Sequence, residues 1–356
     1  MMRTEDMAEL RDAIRGFLSS ESDSHKLRQA LENPDEFRRG LWAKIAELGW
    51  LGLCIDEAYD GLELGIAAAS IGYEEFGRYL TPLPFMSTLL AGAAINRAGT
   101  DAQKSAHLPA IAAGEVSACI ALPATTAPLR IVDDVLNGVS ANVLDADSVD
   151  LLLLPVIGVG ERPGLALIDA RASGVAVHAR PTIDRTRRLC HVQLTDVALP
   201  ASQVLYPDDS AWDELLDHAC VALACDSMGG ASHILEQTVD YLKMRVQFDR
   251  PIGSFQALKH RCANWKILQE AAGALTGHAA QLLSADAPLK SAWASNAKFY
   301  ACDAYASIAG DAIQLHGGIG FTWEHDCHLF FKRAKLNQVL FGAAAQHKER
   351  IAGLVF

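Results

Sequence analysis

The sequence has no long uninterrupted apolar run, and this absence argues against a membrane-spanning helix. No stretch approaches the ~18 consecutive apolar residues that such a helix needs. The amino-terminal stretch MMRTEDMAELRDAIRGF is charged and amphipathic, and it lacks the apolar segment of a secretion signal. We therefore expect a cytoplasmic protein with no membrane span.

Cysteine pairs at metal-binding spacing are also missing. The eight cysteines are scattered along the chain, and no two of them are separated by two residues as in a CxxC motif. This pattern argues against a structural zinc site and against a disulfide framework. We expect reduced, mostly buried thiols and no metal.

Basic residues are scarce relative to acidic ones. The chain has 31 Lys and Arg against 43 Asp and Glu, a formal net charge of -12. A protein that neutralises nucleic-acid phosphates needs clustered Lys and Arg, so no nucleic acid is expected as a partner. Half of the 356 residues are hydrophobic, which indicates a globular chain of two or three domains or layers.

The chain has three successive regions that differ in their pattern of apolar residues. Apolar residues recur at helical spacing over residues 1–117, as in FRRGLWAKIAELGWLGL, and again over residues 208–356, where four long amphipathic runs predict a four-helix bundle. Residues 118–207 contain six short runs rich in Val, Leu and Ile, separated by turns and not by helices. These runs predict a middle antiparallel β-domain. The expected fold class is α+β with three domains.

Two glycine-rich stretches resemble nucleotide-binding loops only superficially. VIGVGERPG (156–164) follows a predicted strand but leads into another strand, so a hairpin turn fits it better than a dinucleotide loop. In QLHGGIGFTWEHD (314–326) a predicted helix precedes Gly317 and Gly318, as at a glycine-capped helix end. The polar side chains there have no distinctive metal-ligand spacing; they belong to His316, His325, Asp326 and His328.

The stretch RVQFDRPIGSFQ (245–256) lies between the first two carboxy-terminal helical runs. Arg245 and Arg250 flank an aromatic residue, and a guanidinium can hold a phosphate through two hydrogen bonds. Phe248 and Phe255 could lie against a flat ring. On its own the stretch is equally compatible with a solvated helix end that carries two surface arginines.

Taken together, these stretches resemble the acyl-CoA dehydrogenase family. R-x-Q-F-x-R-P-I-G-x-F-Q followed by Q-L-H-G-G-I-G-F-T-x-E is similar to the carboxy-terminal half of the family. LWAKIAELGWLGLCIDEAYDGLELG, YEEFGRYLTPLP and HLPAIAAGEVSACIAL resemble its amino-terminal half, in the same order. The resemblance covers essentially the whole chain and agrees with the α–β–α order.

The resemblance implies an FAD-dependent oxidoreductase that dehydrogenates an acyl-CoA thioester between Cα and Cβ. A carboxylate base removes the α-proton while a hydride passes to the flavin. In the family, the arginine and the Gln-x-x-Gly-Gly turn reach the FAD of a neighbouring subunit. The residues that match these positions, and are thus expected to contact FAD, are Arg245, Phe248, Gln256, Gln314, Gly317 and Gly318.

The catalytic base of the family has no counterpart at its usual positions. In many members a Glu lies just after an R-x-A-K segment, and Phe341 occupies that position here. In others the base lies early in the first carboxy-terminal helix, where this chain has Ala219. Glu214 and Asp217 are the nearest carboxylates. Asp217 is a weak candidate, because two residues correspond to ~200° around a helix.

The segments that contact the flavin ring in the family are altered as well. ALPATTAPL (121–129) lacks the Thr-Glu-Pro of that loop, and NGVSANVLDA (137–146) lacks the usual Lys and Trp. This combination resembles the base-lacking subunit of bacterial α2β2 acyl-CoA dehydrogenases that act on steroid side chains. A second subunit, an acyl-CoA substrate and an electron-transfer flavoprotein are the implied partners. A self-sufficient homo-oligomer with a displaced base and a flavin-free structural homologue remain the alternatives.

Overall fold

The computed structural model describes residues 4–123 and 126–356. Helices form both ends of this part of the chain and strands form its middle, which confirms the predicted α+β fold class. The chain divides into two compact units, one of residues 29–69 and 82–219, the other of residues 4–28, 70–81 and 220–356. None of the helices in the described ranges is both long and apolar enough to cross a bilayer.

From residue 4 onward, six helices precede the sheet, and their ends follow local sequence signals. Pro34 occupies the first turn of the third helix, where its missing N–H costs no hydrogen bond. Thr100 and Gln103 form a reciprocal capping box at the start of the sixth. The helices are α1 (Thr4–Glu21), α2 (Ser24–Glu32), α3 (Pro34–Glu47), α4 (Gly65–Arg78), α5 (Phe85–Ala98) and α6 (Asp101–Ala112).

The described residues in the middle of the chain form one eight-stranded sheet. Its strands are β1 (Ala118–Ile120), β2 (Leu129–Val132), β3 (Val135–Leu144), β4 (Leu151–Ile157), β5 (Pro163–Asp169), β6 (Val175–Ala179), β7 (Leu189–Ala198) and β8 (Val204–Leu205). Both β1 and β2 pair with β4 in parallel, and every other pairing is antiparallel. The six predicted strands are therefore present, whereas β2, β8 and the parallel pairings were not predicted.

The core of the sheet unit comes mainly from its central strands. Residues 151–156 of β4 are all buried, as expected for a strand that is covered on both faces. Leu136, Leu152, Val192 and Leu194 lie in one hydrophobic cluster with residues of neighbouring strands. The stretch Gly158–Arg162 connects β4 to the antiparallel β5, which confirms the predicted hairpin turn.

Five helices follow the sheet. They are α7 (Asp209–Met244), α8 (Gln256–Ser284), α9 (Lys290–His316), α10 (Cys327–Val339) and α11 (Ala344–Val355), and a two-stranded hairpin of β9 (Val246–Gln247) and β10 (Arg250–Pro251) joins α7 to α8. The first three coincide with predicted runs. The fourth predicted run is two helices, because Phe341 and Gly342 both have left-handed backbone angles (φ 53° and 110°) and break it.

Helix α9 is the centre of the carboxy-terminal packing, and it contacts α8, α10 and α11. Its alanines are buried along most of its length, which lets neighbouring helices approach closely. Two of its buried side chains are large, Lys298 and Tyr305. A buried ion pair between Asp226 of α7 and Arg333 of α10 (3.0 Å) adds a polar element to this core.

The backbones of α4 and α7 touch at glycines. A Cβ atom on Gly229 would lie 1.8 Å from the carbonyl oxygen of Glu74, and one on Gly77 would lie 2.3 Å from that of Asp226. Because the obstructing atoms belong to the backbone, no rotamer change can relieve such an overlap. Only glycine permits the crossing.

Substituting Gly229 with alanine is therefore expected to lower the free energy of unfolding by about 3 kcal/mol. Gly16→Ala is the matched control, since Gly16 is exposed in α1 and a Cβ there would meet nothing within 4 Å. The control should gain up to about 1 kcal/mol from helix propensity. Denaturant unfolding measures the change in the free energy of unfolding for both variants. Equal changes in Gly229→Ala and Gly16→Ala would contradict the close approach of the α4 and α7 backbones.

Candidate functional site

The loop between α7 and α8 presents aromatic and basic side chains to solvent. Phe248 and Asp249 occupy the tip of the β9–β10 hairpin with φ of 54° and 59°, as a two-residue turn of this type requires. The ring of Phe248 is 85% exposed and meets Phe255 edge to face at 6.1 Å. The guanidinium of Arg250 lies 4.1 Å from the centre of the Phe255 ring. An exposed phenylalanine beside cations is a suitable edge for a flat ligand.

Two of the predicted cofactor-binding residues begin and end this loop. Arg245 follows α7 directly and is exposed, and its carbonyl accepts a hydrogen bond from the amide of Ile252 (2.8 Å). Gln256 is exposed at the first position of α8. The backbone of the loop is thus fixed while both side chains face outward.

The end of α9 supplies an open backbone surface. Gly317 ends the helix with φ 63°, which confirms the predicted glycine cap. Gly317 and Gly318 are exposed, and a Cβ on either would meet nothing within 4 Å. At Gly320, in contrast, a Cβ would lie 2.7 Å from the carbonyl oxygen of Ile313. The first two glycines leave room for a ligand, whereas Gly320 serves packing.

An aromatic contact links these two regions. The ring of Tyr241, in the last turn of α7, stacks on His316 at 4.4 Å, and its hydroxyl donates to the carbonyl of the same histidine (3.4 Å). The ends of α7 and α9 are therefore held together, so the stretches that begin at Arg245 and Gln314 lie in one region. Gln314 is exposed on the last turn of α9.

A group of potential metal ligands lies behind the glycine turn. His316, His325 and Cys327 offer ligand atoms within 4.8 Å of one another, whereas Asp326 forms an ion pair with Arg28. Burial lowers the pKa of both histidines and raises that of the Cys327 thiol to about 12. Nδ1 of His316 donates to the carbonyl of Ala312 (2.8 Å), so Nδ1 carries the proton and the lone pair of the neutral ring lies on Nε2, which is buried without a hydrogen-bond partner among the described residues.

The residues at the two base positions are both buried. Phe341 is 3% exposed, and Ala219 in α7 is fully buried. The ammonium group of Lys298 donates to the carbonyls of Gln338 (3.1 Å) and Gly342, so a buried cation holds the turn that follows α10. Cations stabilise carbonyls at a helix end in this way.

The two nearby carboxylates are in different surroundings. The side chain of Glu214 accepts a hydrogen bond from Nε of Arg97 at 2.6 Å. Asp217 is fully buried in the first third of α7. Its neighbour His218 is buried as well, and burial lowers the pKa of this histidine to about 4.

That pKa predicts acid sensitivity. His218 is neutral in the folded protein, with a pKa of about 4, whereas in the unfolded chain its pKa is ~6.5. The folded state therefore keeps its full stability above pH ~6.5 and loses stability as the pH falls towards 4, because the unfolded chain takes up the proton first. The expected slope is at most about 1.4 kcal/mol per pH unit for this group. Two other histidines have pKa values lowered to about 4 by burial, His233 and His347.

Unfolding midpoints of the wild type and of His218→Gln between pH 7 and 4 measure this effect. The variant should be less stable at pH 7 but should lose less stability on acidification. His178→Gln, at an exposed position on β6, is the control and should follow the wild type. Parallel curves for all three proteins would exclude His218 as an acid-sensitive group.

The sheet segments around 121–129 and 137–146 bond to one another and to β7. The hydroxyl of Thr126 accepts a hydrogen bond from the amide of Ala141 (3.1 Å) and lies 3.4 Å from that of Ser140. Asn142 accepts a hydrogen bond from Arg180 (2.5 Å). Residues 124–125 of the first segment lie outside the described residues.

Family models match both ends of the chain. "Acyl-CoA dehydrogenase, N-terminal domain" matches residues 4–115, and "Acyl-CoA dehydrogenase, C-terminal domain" matches residues 211–355. "Acyl-CoA dehydrogenase IpdE2" of Mycobacterium tuberculosis is 33% identical over 94% of this chain and 92% of that protein. The protein of the same name from Mycolicibacterium smegmatis is 30% identical over 98% of both.

The chain belongs to the acyl-CoA dehydrogenase family. Among solved structures, "Tcur3481-Tcur3483 steroid ACAD G363A variant" has a TM-score of 0.88 and 30% identity, and the match covers 99% of this chain and 98% of that one. The ChsE4-ChsE5 complex from Mycobacterium tuberculosis has a TM-score of 0.90 at 22% identity, over 99% and 97% of the chains. Because its identity is only 22%, the similarity to the ChsE4-ChsE5 complex shows a common fold and nothing more.

In this member of the family, the sequence motifs predicted the exposed loops but not the contacts that support them. The stacking of Tyr241 on His316 and the bonds from Lys298 to the Phe341–Gly342 turn join residues far apart in the sequence. A lysine inside an alanine-rich helix was the one available signal, since a buried ammonium group must find acceptors.

Proposed function

We propose that this chain is a subunit of an FAD-dependent acyl-CoA dehydrogenase and that it completes an FAD site shared with a catalytic partner subunit. The assembled enzyme would dehydrogenate an acyl-CoA thioester between Cα and Cβ. Electrons would pass on to an electron-transfer flavoprotein, as the family resemblance implies.

One contrast carries the proposal. The positions that supply the base in relatives are occupied by Phe341 and Ala219, which are buried and cannot accept a proton. The residues that match the nucleotide-contacting motifs, among them Arg245, Gln314 and Gly317, are exposed. A chain that keeps the nucleotide-contacting residues but lacks the base is suited to complete the cofactor site of another polypeptide that supplies the base.

The side chains and backbone at this surface fit the nucleotide end of FAD. Gly317 and Gly318 leave open space where any other residue would place a Cβ, which lets the backbone approach a ligand. Arg245 can donate to a diphosphate, and the exposed ring of Phe248 can cover a flat group. Gln256 and Gln314 add amide donors and acceptors at the rim. Bound FAD would supply the acceptor for the hydride.

The flavin-ring segments of this chain fit less well. The Thr126 hydroxyl is engaged with Ala141 and Ser140, and Asn142 is held by Arg180. These bonds commit the polar groups to the sheet itself. We infer that the partner subunit supplies the contacts to the ring as well as the base.

A relative supports the choice of substrate class. The solved structure at 30% identity is that of a steroid ACAD variant, and its name gives two components, Tcur3481 and Tcur3483. We propose a CoA thioester of a steroid side chain as the substrate and a two-component α2β2 assembly as the active form.

Neither nearby carboxylate favours a self-sufficient enzyme. Glu214 is bonded to Arg97, and Asp217 is fully buried in α7. The test is acyl-CoA oxidation by the chain alone and by the chain co-purified with a candidate second subunit, each with Asp217→Asn and Glu214→Gln variants. The proposal predicts turnover only in the complex, unaffected by either substitution. Turnover by the isolated chain that Asp217→Asn abolishes would overturn it.

A further inference from the structure

Three side chains with metal-binding atoms meet in the segment between α9 and α10. A ring nitrogen of His316, a ring nitrogen of His325 and Sγ of Cys327 lie within 4.8 Å of one another. The ligand atoms of a tetrahedral ion stand about 3–4 Å apart, because its bonds to nitrogen and sulfur are ~2.0–2.3 Å long. Small movements of these side chains would therefore close the group around one ion.

His316 carries a buried lone pair that no described residue uses. Nδ1 of its ring donates to the carbonyl of Ala312 (2.8 Å), whereas Nε2 is buried without a hydrogen-bond partner among the described residues. A histidine that binds a metal ion commonly donates its other ring N–H to a backbone carbonyl, which fixes the tautomer and the orientation of the ring. The ring of Tyr241 stacks on that of His316 at 4.4 Å and limits its rotation further.

Cys327 brings a buried sulfur beside the same ring. It is the first residue of α10, and its Sγ lies 3.3 Å from Nδ1 of His316. A change of rotamer about the Cα–Cβ bond moves a cysteine sulfur by up to ~3 Å, which is enough to carry Sγ from Nδ1 towards Nε2. The amino end of a helix stabilises a thiolate, which is the form of cysteine that binds metal.

His325 closes the group on the side that solvent reaches. It is half-buried, whereas His316 and Cys327 are 3% and 0% exposed. Its ring centre lies 4.3 Å from that of His316, and the amide of Cys327 donates to its Nδ1 (3.3 Å). An ion can therefore reach the two buried ligands past one that is partly exposed.

The turn that carries His325 and Cys327 is anchored to α2. The carboxylate of Asp326, between these two residues, accepts a hydrogen bond from the hydroxyl of Ser24 and forms an ion pair with Arg28. These bonds occupy the carboxylate, so we do not count it as a metal ligand. They also hold its two neighbours near His316, as a preorganised site requires.

We propose that His316, His325 and Cys327 bind a Zn²⁺ ion that stabilises the segment between α9 and α10. Imidazole nitrogen and thiolate sulfur are ligands that zinc prefers, and three of them leave one tetrahedral position for water. The thiol loses its proton to solvent as the ion binds. The spacing of the three residues in the sequence is not distinctive, because the end of α9 and the following turn bring them together. The site does not depend on the proposed function.

Zinc titration of the full-length chain, purified free of metal and with reduced thiols, tests this proposal. Competition with a chromophoric chelator should show one ion bound per chain, and saturating zinc should raise the unfolding temperature. Excess Mg²⁺ should not displace the zinc, because Mg²⁺ prefers oxygen ligands. Co²⁺ bound in place of zinc should show a thiolate-to-cobalt charge-transfer band.

Two variants locate the ion. Cys327→Ser and His325→Gln should each raise the Kd for zinc at least about tenfold and abolish the zinc-dependent rise in unfolding temperature. His325 is half-buried and the change at Cys327 nearly conserves volume, so both variants should fold, which unfolding without zinc will check. Cys262→Ser in α8 and His178→Gln in β6 are the matched controls, and each should change the Kd less than twofold.

The result that contradicts the site is equally direct. Zinc binding that survives both Cys327→Ser and His325→Gln, or that the two control variants weaken as much, would place the ion on other side chains and overturn the proposal. The absence of binding at micromolar zinc concentrations would overturn it as well.

Discussion

Replacing Arg333 with methionine is expected to lower the free energy of unfolding by about 3–5 kcal/mol. The guanidinium of Arg333 lies 3.0 Å from the carboxylate of Asp226, and the two side chains are 2% and 3% exposed. The amide of Asn337 donates to the other carboxylate oxygen (2.7 Å) and to the hydroxyl of Ser227 (3.0 Å). Removing the cation leaves a buried carboxylate without its charge partner.

Two further variants show whether the loss of stability in Arg333→Met comes from the unpaired charge of the Asp226 carboxylate. The double variant Arg333→Met, Asp226→Asn removes both charges and keeps an oxygen acceptor for Asn337, so it should recover most of the lost stability. Arg130→Gln breaks an exposed pair with Glu161 and should leave the free energy of unfolding nearly unchanged, because solvent screens such a pair. Denaturant unfolding measures all three. A double variant as unstable as the single one would show that packing, and not charge, is responsible.

Arg245→Ala should remove most of the flavin from the assembled complex. The loss of a charge-assisted hydrogen bond to a diphosphate costs about 1.5–3 kcal/mol, which corresponds to roughly a 10- to 100-fold weaker Kd. Gln314→Ala should have a smaller effect of the same sign, because a neutral amide contributes less. Flavin absorbance per complex after gel filtration provides the measurement.

Arg250→Ala is the matched control for the flavin experiment. It removes the same charge from the same loop, but the guanidinium of Arg250 is stacked on Phe255 and is not among the residues expected to contact FAD. Its complex should retain flavin. Full retention in the Arg245 and Gln314 variants would exclude this loop from the cofactor site, and equal loss with Arg250→Ala would indicate a general effect of charge.

Local sequence patterns predicted the helices that later proved to be continuous. The first three carboxy-terminal runs became α7, α8 and α9, because their apolar spacing and their ends are encoded within each segment. Gly317 was predicted as a helix cap for the same reason. The turn between β4 and β5 followed from glycines that led into another strand.

Features that depend on distant residues were not predictable in this way. The fourth run has helical composition throughout, and the break at Phe341–Gly342 depends on the carbonyl of Gly342 bonding to Lys298, 44 residues earlier. Strand β2 is short and finds its place by pairing with both β3 and β4. The pair Asp226–Arg333 joins residues 107 positions apart.

The candidate site was predictable only in part. The residues of the exposed loops follow from family motifs, whereas the buried environment of Asp217 depends on tertiary packing around α7.

The amount of flavin bound per chain tests the shared cofactor site most directly. The chain should be purified alone and together with a candidate second subunit, and its flavin-to-protein ratio compared. The shared site predicts a colourless isolated chain and a complex that retains FAD. An isolated chain saturated with FAD and able to oxidise an acyl-CoA would contradict the account.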